Sequence, residues 1–493
     1  MNRNFSTVVS LIVVTCLTRL PFAAKCLCTH DSVNFALGIK EFNLEKHQPH
    51  PPGYILYVGL GKLLHLFVRD PNKDLIALSI VFSCGAVVLI YMLGKEMLNY
   101  RCGVVSALFL ISSPLFWAHG ALPVSYAADA FGSLLIAYTG YRTMKGNREY
   151  ALATSLALGL AGGIRQSLLL YFVPMWMAVV ISLRSLKEAA KQALVLAAAC
   201  LSWLVPLVLL SGGPKAYLEI SQRLYKGSVL AHFGNLKTMA YASCSSLWGL
   251  GFAVIALIWS IHAARRIRSG LRKELVTFYV VCWGGPILFS YLLFMGNSGY
   301  ALAFTPCFTL LSSLFVYERG GRSRHVLVGS IVLANCLLFL LVSPLPVGGR
   351  VVGIKMDRYR NFANFWALDY SRDGIKRQGR AGEVLDSVKR GFSPDTTAIA
   401  VGDPGTFEPW IPLRVVQYYL PGFPIVAITG NRQVVRLRSN TSTVVWLIHE
   451  RDLRKYNNAG LHARLLGKGQ VVYFSRVRDR LSFGLSEFYR GSD

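Results

Sequence analysis

Acidic residues are scarce in this chain: 25 Asp and Glu stand against 52 Lys and Arg, and charged residues of both signs make up only 16% of 493 positions. So little charge, with 53% hydrophobic residues and a mean hydropathy of +0.43, excludes a disordered chain and an ordinary soluble domain. It implies a polytopic membrane protein. The net charge of +27 could suit nucleic acid, but the basic residues fall between long apolar runs and form no compact basic domain. Membrane topology and anionic lipid account for them instead.

Other absences narrow the chemistry. The chain has no G-x-S-x-G, no H-E-x-x-H and no set of His, Cys and Asp at metal-ligand spacing, which leaves a serine hydrolase or zinc protease without residues to work with. It has no internal repeat and no low-complexity tract. Ten cysteines are present, but most lie inside apolar runs and read as small hydrophobes, so they form no disulfide framework. Cys26 and Cys28 are the one close pair, and their one-residue spacing strains a disulfide and does not match a zinc knuckle.

What is there in abundance is apolar runs. Windows of about 20 apolar residues predict eleven spans, near 5–24, 75–94, 103–118, 121–141, 150–164, 167–183, 189–210, 239–261, 275–295, 299–317 and 325–343. The first is read as a retained span, because Arg19 and Pro21 follow its apolar stretch without a small-residue cleavage pattern. Basic clusters at Lys95/Arg101, Arg142/Lys145/Arg148, Arg184/Lys187/Lys191, Arg265–Lys273 and Arg319/Arg322/Arg324 all fall on one side when the spans alternate. The positive-inside rule makes that side cytoplasmic. The N-terminus is then inside, while 25–74, 211–238 and everything after about 344 lie outside.

Two domains are expected: a membrane domain over 1–344, with the outer loop 25–74, and an extracytoplasmic α/β domain over 345–493. Within the loop, GYILYVGLGKLLHLF is apolar but short for a span and suits an interfacial helix, which the preceding Pro-Pro-Gly would start. After 344, TTAIAVGD, PIVAIT, STVVWLI and QVVYFSR read as strands and PWIPLRVVQYYL as a helix. That domain has no G-x-G-x-x-G and no Walker A motif, and so no nucleotide is assigned to it.

Candidate site residues gather on the outer side. Asp31 follows the first span, in a loop shared with His30, Glu41, Glu45, His47 and His50 and closed by HPPGY. A carboxylate held there could take a proton from an incoming nucleophile; the plainer alternative is a solvated loop acid. Asp129 falls at the outer end of the fourth span, as a cavity-facing acid or as an N-terminal acid favoured by the helix dipole. Arg165 breaks an apolar hairpin at GGIRQS, and Arg19 sits late in the first span; each either snorkels to headgroups or binds a phosphate. Arg223 and Lys226 lie in the basic outer loop 211–238, and Tyr300 leads into the tenth span through GYALAFTP.

Together these features resemble the GT-C superfamily of integral membrane glycosyltransferases, which includes protein O-mannosyltransferases and lipid A aminoarabinose transferases. The resemblance rests on the acid of the first outer loop (Asp31-Ser32-Val33-Asn34-Phe35), HPPGY at His50–Tyr54, the GGIRQSLLLYFVP hairpin, GYALAFTP and the outer C-terminal domain, and it covers essentially the whole chain. HPPGY looks most like the branch whose first loop reads HPPGYPLY, with Ile55 here in place of the proline.

The resemblance implies a mainly α, polytopic GT-C fold with a small extracytoplasmic α/β domain, in a bacterial inner membrane. It implies a polyprenyl-phosphate-linked sugar as donor, inversion at the anomeric carbon, and a lipid, glycan or protein acceptor. Asp31 would be the general base, with His50, Tyr54, Asp129, Arg165, Arg19, Arg223, Lys226 and Tyr300 binding substrate. Ser32 stands where many relatives carry a second acid; no metal ligands are assigned, while the family leaves room for a divalent cation. The competing reading from another class is a transporter or lipid flippase, which would require matched halves with discontinuous helices. A structural subunit would leave the carboxylates scattered.

Overall fold

The computed structural model describes residues 3–224, 236–263, 283–284, 287–288, 297–318, 322–341, 350–351, 354–355, 370–402, 411–428, 433–448, 461–466, 470–477 and 480–483. The chain divides into two compact units. One comprises Met1–Ala23 with Phe35–Ile375, the other Ala24–Asn34 with Lys376–Asp493. Lys226 and the span expected near 275–295 lie outside the described residues, apart from residues 283–284 and 287–288 in the latter.

The first unit is built of helices. α1 (Arg3–Arg19) runs into a 3-10 turn at Leu20–Phe22, and α2 (His30–Lys40) follows, so that Asp31 opens a helix rather than lying in a loop. Next come α3 (Ile55–Val68), the short helix expected at the interface, and α4 (Pro71–Met97). Asp70 caps α4 by accepting from the backbone N–H groups of Asn72 and Lys73 at 3.0 and 3.3 Å, with Pro71 in the first turn, where its missing donor costs nothing.

α5 (Tyr100–Ser112) and α6 (Pro114–Ala121) correspond to a single expected span. They are bent 64° apart because Pro114 ends α5, and Ser113 caps α6 through Phe116 N–H at 3.3 Å. α7 (Tyr126–Met144), α8 (Tyr150–Ile164), α9 (Gln166–Ser182) and α10 (Leu186–Leu210) complete the main bundle. α8 and α9 part at Arg165, whose extended backbone breaks the helix at the GGIRQS sequence.

α11 (Pro214–Leu224), α12 (Leu236–Leu250), α13 (Ala253–Ala263), a 3-10 turn at Ser298–Ala303, α14 (Thr305–Glu318) and α15 (Arg322–Leu341) follow. Among the described residues, four helices are long and apolar enough to cross a membrane. The number rises to six if each bent pair is one span, the second being α12 and α13. α3, α8 and α9 are apolar but shorter. The chain is an integral membrane protein.

Small residues let these helices approach closely. A Cβ on Gly94 of α4 would lie 3.1 Å from the Cα of Gly103 of α5. Near the C-terminal ends of α4 and α7, Glu96 of α4 accepts from Arg142 of α7 at 2.6 Å and from the Tyr138 hydroxyl at 3.1 Å.

The HPPGY turn is held against α10. Gly53 has φ +130° and Tyr54 φ +45°, and a Cβ at Gly53 would lie 2.6 Å from Leu207 Cδ1. Gly53→Ala is therefore expected to cost about 1–3 kcal/mol, read as a lowered thermal midpoint. Gly59→Ala in α3, where nothing lies within 4 Å of the new methyl, should leave the midpoint unchanged or raise it.

The second unit contains most of α16 (Arg372–Gly391), together with α17 (Leu413–Tyr419) and a five-stranded sheet. Two short strands, β1 (Arg350–Val351) and β2 (Ile354–Lys355), precede it in the chain and belong to the first unit. The sheet order is β4-β3-β6-β8-β7, from β3 (Thr397–Gly402), β4 (Ile425–Ile428), β6 (Thr443–Leu447), β7 (Leu461–Leu466) and β8 (Gln470–Arg476). β5 (Gln433–Arg436) pairs separately with β9 (Arg480–Phe483).

β3 lies parallel to β4 and β6, whereas β8 is antiparallel to both β6 and β7. β3, flanked by β4 and β6, is buried along its length, as its continuous apolar run requires. Ala398, Ala400, Val444 and Trp446 form the core beneath it, and Trp446 donates its indole N–H to Ser475 at 3.0 Å. The four expected strands and the helix all form; β7 was not expected from sequence.

Candidate active site

The first unit holds a seam of buried polar side chains, each supplied by a helix break or a helix end. Arg165 stands at the junction of α8 and α9 and Asp129 in the first turn of α7, and they are 3% and 2% exposed. Arg165 Nη1 donates to Asp129 Oδ2 at 2.8 Å. The guanidinium also lies 4.3 Å from the ring centre of Tyr126, 4.2 Å from that of Tyr300 and 5.9 Å from that of Tyr54. These rings replace some of the hydration that the cation loses. Asp129 Oδ1 is left without a hydrogen-bond partner among the described residues.

Tyr54 connects this cluster to the HPPGY turn. Its ring packs on His50 at 4.7 Å and on Phe35 of α2 at 5.1 Å between centroids. Gln166, the neighbour of Arg165, donates to Pro52 O at 3.2 Å and to the Tyr217 hydroxyl of α11 at 3.0 Å. The turn, the α8–α9 break and helix α11 are thereby tied together. Arg223, on the same α11, is exposed.

Tyr126 carries the seam onward to His119 of α6, with ring centroids 4.9 Å apart, and Tyr370 covers the imidazole at 4.4 Å. His119 is fully buried, and neither ring nitrogen has a hydrogen-bond partner among the described residues. Beside it, Gly120 makes room for Arg19: a Cβ there would lie 3.0 Å from Arg19 Cγ and 3.1 Å from Nε.

Arg19 is 0% exposed. Its Nη1 donates to Thr18 at 2.7 Å, the Phe116 and Trp117 rings lie 5.2 and 5.6 Å from its guanidinium carbon, and its Nε and Nη2 have no partner among the described residues. Burying a guanidinium without an acid costs several kcal/mol. A site that retains it in apolar surroundings is suited to an anion.

Of the candidates named from sequence, Arg19, Asp129, Arg165, Tyr54, His50 and Tyr300 all lie in the first unit. His119 was not among those candidates; it falls in the short gap between the spans expected at 103–118 and 121–141, where a lone titratable residue in apolar surroundings was the signal available. Arg165, expected to bind phosphate or snorkel, has its charge turned onto Asp129 instead.

Asp31 belongs to the second unit. It lies in the first turn of α2, half-buried. The helix starts there because Thr29 and Ser32 cap it reciprocally: Ser32 N–H donates to Thr29 Oγ1 at 3.1 Å and Thr29 N–H to Ser32 Oγ at 3.0 Å. Cys28 donates its thiol to Cys26 O at 2.9 Å, and hydrogen bonding with Cys26 together with burial pushes the Cys28 thiol up. A thiol held protonated in this way is a poor ligand and a poor nucleophile. No group of three His, Cys, Asp or Glu among the described residues could hold a metal ion.

Residues 41–189 match the family described as Protein O-mannosyl-transferase TMEM260 N-terminal domain. The search of curated protein sequences returns no match. Among solved structures, the chain is similar to ArnT from Cupriavidus metallidurans bound to undecaprenyl phosphate, with TM-score 0.59 and 12% identity over 95% of this chain and 97% of that one. The apo state of the same protein gives TM-score 0.57, with the same identity and coverage. AglB from Archaeoglobus fulgidus, in complex with an inhibitory peptide and a dolichol-phosphate, gives TM-score 0.48 and 13% identity over 99% of this chain and 77% of that one.

Proposed function

We propose that the chain is an integral membrane glycosyltransferase of the GT-C type, which moves a sugar from a polyprenyl-phosphate donor to an acceptor hydroxyl or similar nucleophile. The transfer takes place on the extracytoplasmic face, with inversion at the anomeric carbon. The observation that carries this reading is Arg19, a wholly buried guanidinium with Nε and Nη2 unpartnered among the described residues. An anionic group arriving from the lipid phase would supply the missing charge. The ArnT relative was solved with undecaprenyl phosphate bound.

The chemistry needs a base on one face of the anomeric carbon and charge stabilisation on the other. Asp31 takes the proton of the acceptor hydroxyl, and the oxygen attacks the anomeric carbon as the bond from that carbon to the phosphate oxygen breaks. The electron pair leaves with the polyprenyl phosphate, where Arg19 donates to the developing negative charge. Asp129 and Arg165 neutralise each other, and their part is to hold Tyr54, Tyr126 and Tyr300 in place around the site.

The test is incubation of the purified protein in lipid with a panel of polyprenyl-phosphate sugars, scored by release of free polyprenyl phosphate. No release from any of them by a folded sample overturns the proposal. Arg19→Gln should weaken donor binding by about 10- to 100-fold, the value of a hydrogen bond to a charged group. The same substitution should hold or raise the thermal midpoint of the donor-free protein, because it removes an uncompensated buried charge. A fall in midpoint with unchanged donor binding would make Arg19 structural.

A further inference from the structure

The acid-bearing segment is gripped at three points by the α/β unit to which it belongs. Cys26 sits in a notch of α16, where a Cβ on Gly382 would lie 3.0 Å from Cys26 Cβ and 3.1 Å from its sulfur. The backbone N–H of Leu27 donates to the hydroxyl of Tyr419 at 2.9 Å, in the last turn of α17. From the first turn of the same helix, Arg414 Nε donates to Asn34 Oδ1 at 3.1 Å. Asn34 is 0% exposed and lies one helical turn after Asp31.

Hydrogen-bond direction can be followed through this chain. A guanidinium only donates, so Arg414 fixes which end of the Asn34 amide is oxygen. The amide nitrogen then faces His30 Nδ1 at 2.9 Å and donates to it. His30 Nδ1 must accept, which places the proton of the neutral ring on Nε2. His30 and Asp31 are adjacent at the start of α2, so one guanidinium 380 residues away in sequence sets both the rotation of that first turn and the tautomer of its imidazole.

We infer that α17 is a clasp for the acid-bearing turn, with Arg414 and Asn34 as positioning residues that orient Asp31 for transfer through the Arg414–Asn34–His30 relay. The inference rests on the transferase reading above, and it gives the C-terminal unit a task. Neither residue needs to touch the donor. Their loss should therefore lower turnover and leave donor affinity alone, since a base displaced by about 1 Å costs on the order of 10²-fold.

The experiment uses the full chain in lipid nanodiscs, comparing wild type, Arg414→Ala, Arg414→Lys and Asn34→Asp by steady-state kinetics and by hydrogen exchange over 24–34. Arg414→Ala is expected to lower kcat by about 10- to 100-fold with KM for the donor unchanged, and to speed exchange in 24–34 alone. Arg414→Lys, which keeps a donor, should recover part of kcat. Asn34→Asp keeps a partner for Arg414 but cannot donate to His30, so its exchange should stay slow while kcat falls.

Wild-type kcat and wild-type exchange in Arg414→Ala overturn the clasp. Equal loss of kcat and donor affinity with faster exchange throughout the chain also overturns it, in favour of a general folding defect. If wild type releases no polyprenyl phosphate from any donor, the transferase reading fails. In that case the exchange comparison alone decides whether α17 holds the segment, and unchanged protection rejects it.

Discussion

Asp31→Asn is expected to reduce transfer by about 10²- to 10⁴-fold, the usual contribution of a positioned general base, while thermal stability and donor binding stay at wild-type levels. The substitution is nearly isosteric and leaves the Thr29–Ser32 cap of α2 intact. A folding defect therefore offers no ready explanation for lost turnover. The measurement is initial-rate release of polyprenyl phosphate alongside a thermal melt of the same preparation. A variant that turns over at the wild-type rate would remove Asp31 from the mechanism.

The largest expected effect on stability is at the Asp129–Arg165 pair. Asp129→Ala should lower unfolding stability by about 3–5 kcal/mol, because it takes the carboxylate from the Arg165 guanidinium, which is 3% exposed and packed against the rings of Tyr126 and Tyr300. Arg165→Met should cost a similar amount by leaving the Asp129 carboxylate alone. The double replacement, Asp129→Leu with Arg165→Met, should recover much of that loss, since a buried pair can be exchanged for apolar residues of like volume far more cheaply than it can be halved. Thermal midpoints of the three variants in one detergent check this; additive losses would show that the two side chains act independently.

Sequence and structure diverge most instructively around Asp31. THDSVNFALG looks like loop because Asp, Ser and Asn are weak helix formers, but Thr29 and Ser32 satisfy each other's backbone N–H groups and start a helix there. The break at Pro114 was equally local, and a span that looked continuous in hydropathy turns through 64° at that point. Hydropathy windows average over the one residue that decides the bend.

The sequence by itself determined what depends on neighbours along the chain. Scarce charge and long apolar runs make it a membrane protein, and apolar runs in the C-terminal region mark four of the strands of the sheet. Each follows from solvent preference or backbone periodicity, which act over a few residues. Only the tertiary structure decided that Arg165 turns its charge onto Asp129, that Arg19 is buried against Gly120, that His119 packs between Tyr126 and Tyr370, and that Arg414 reaches Asn34. A buried charge is defined by what is packed against it, and those partners come from distant parts of the chain, out of reach of any local pattern.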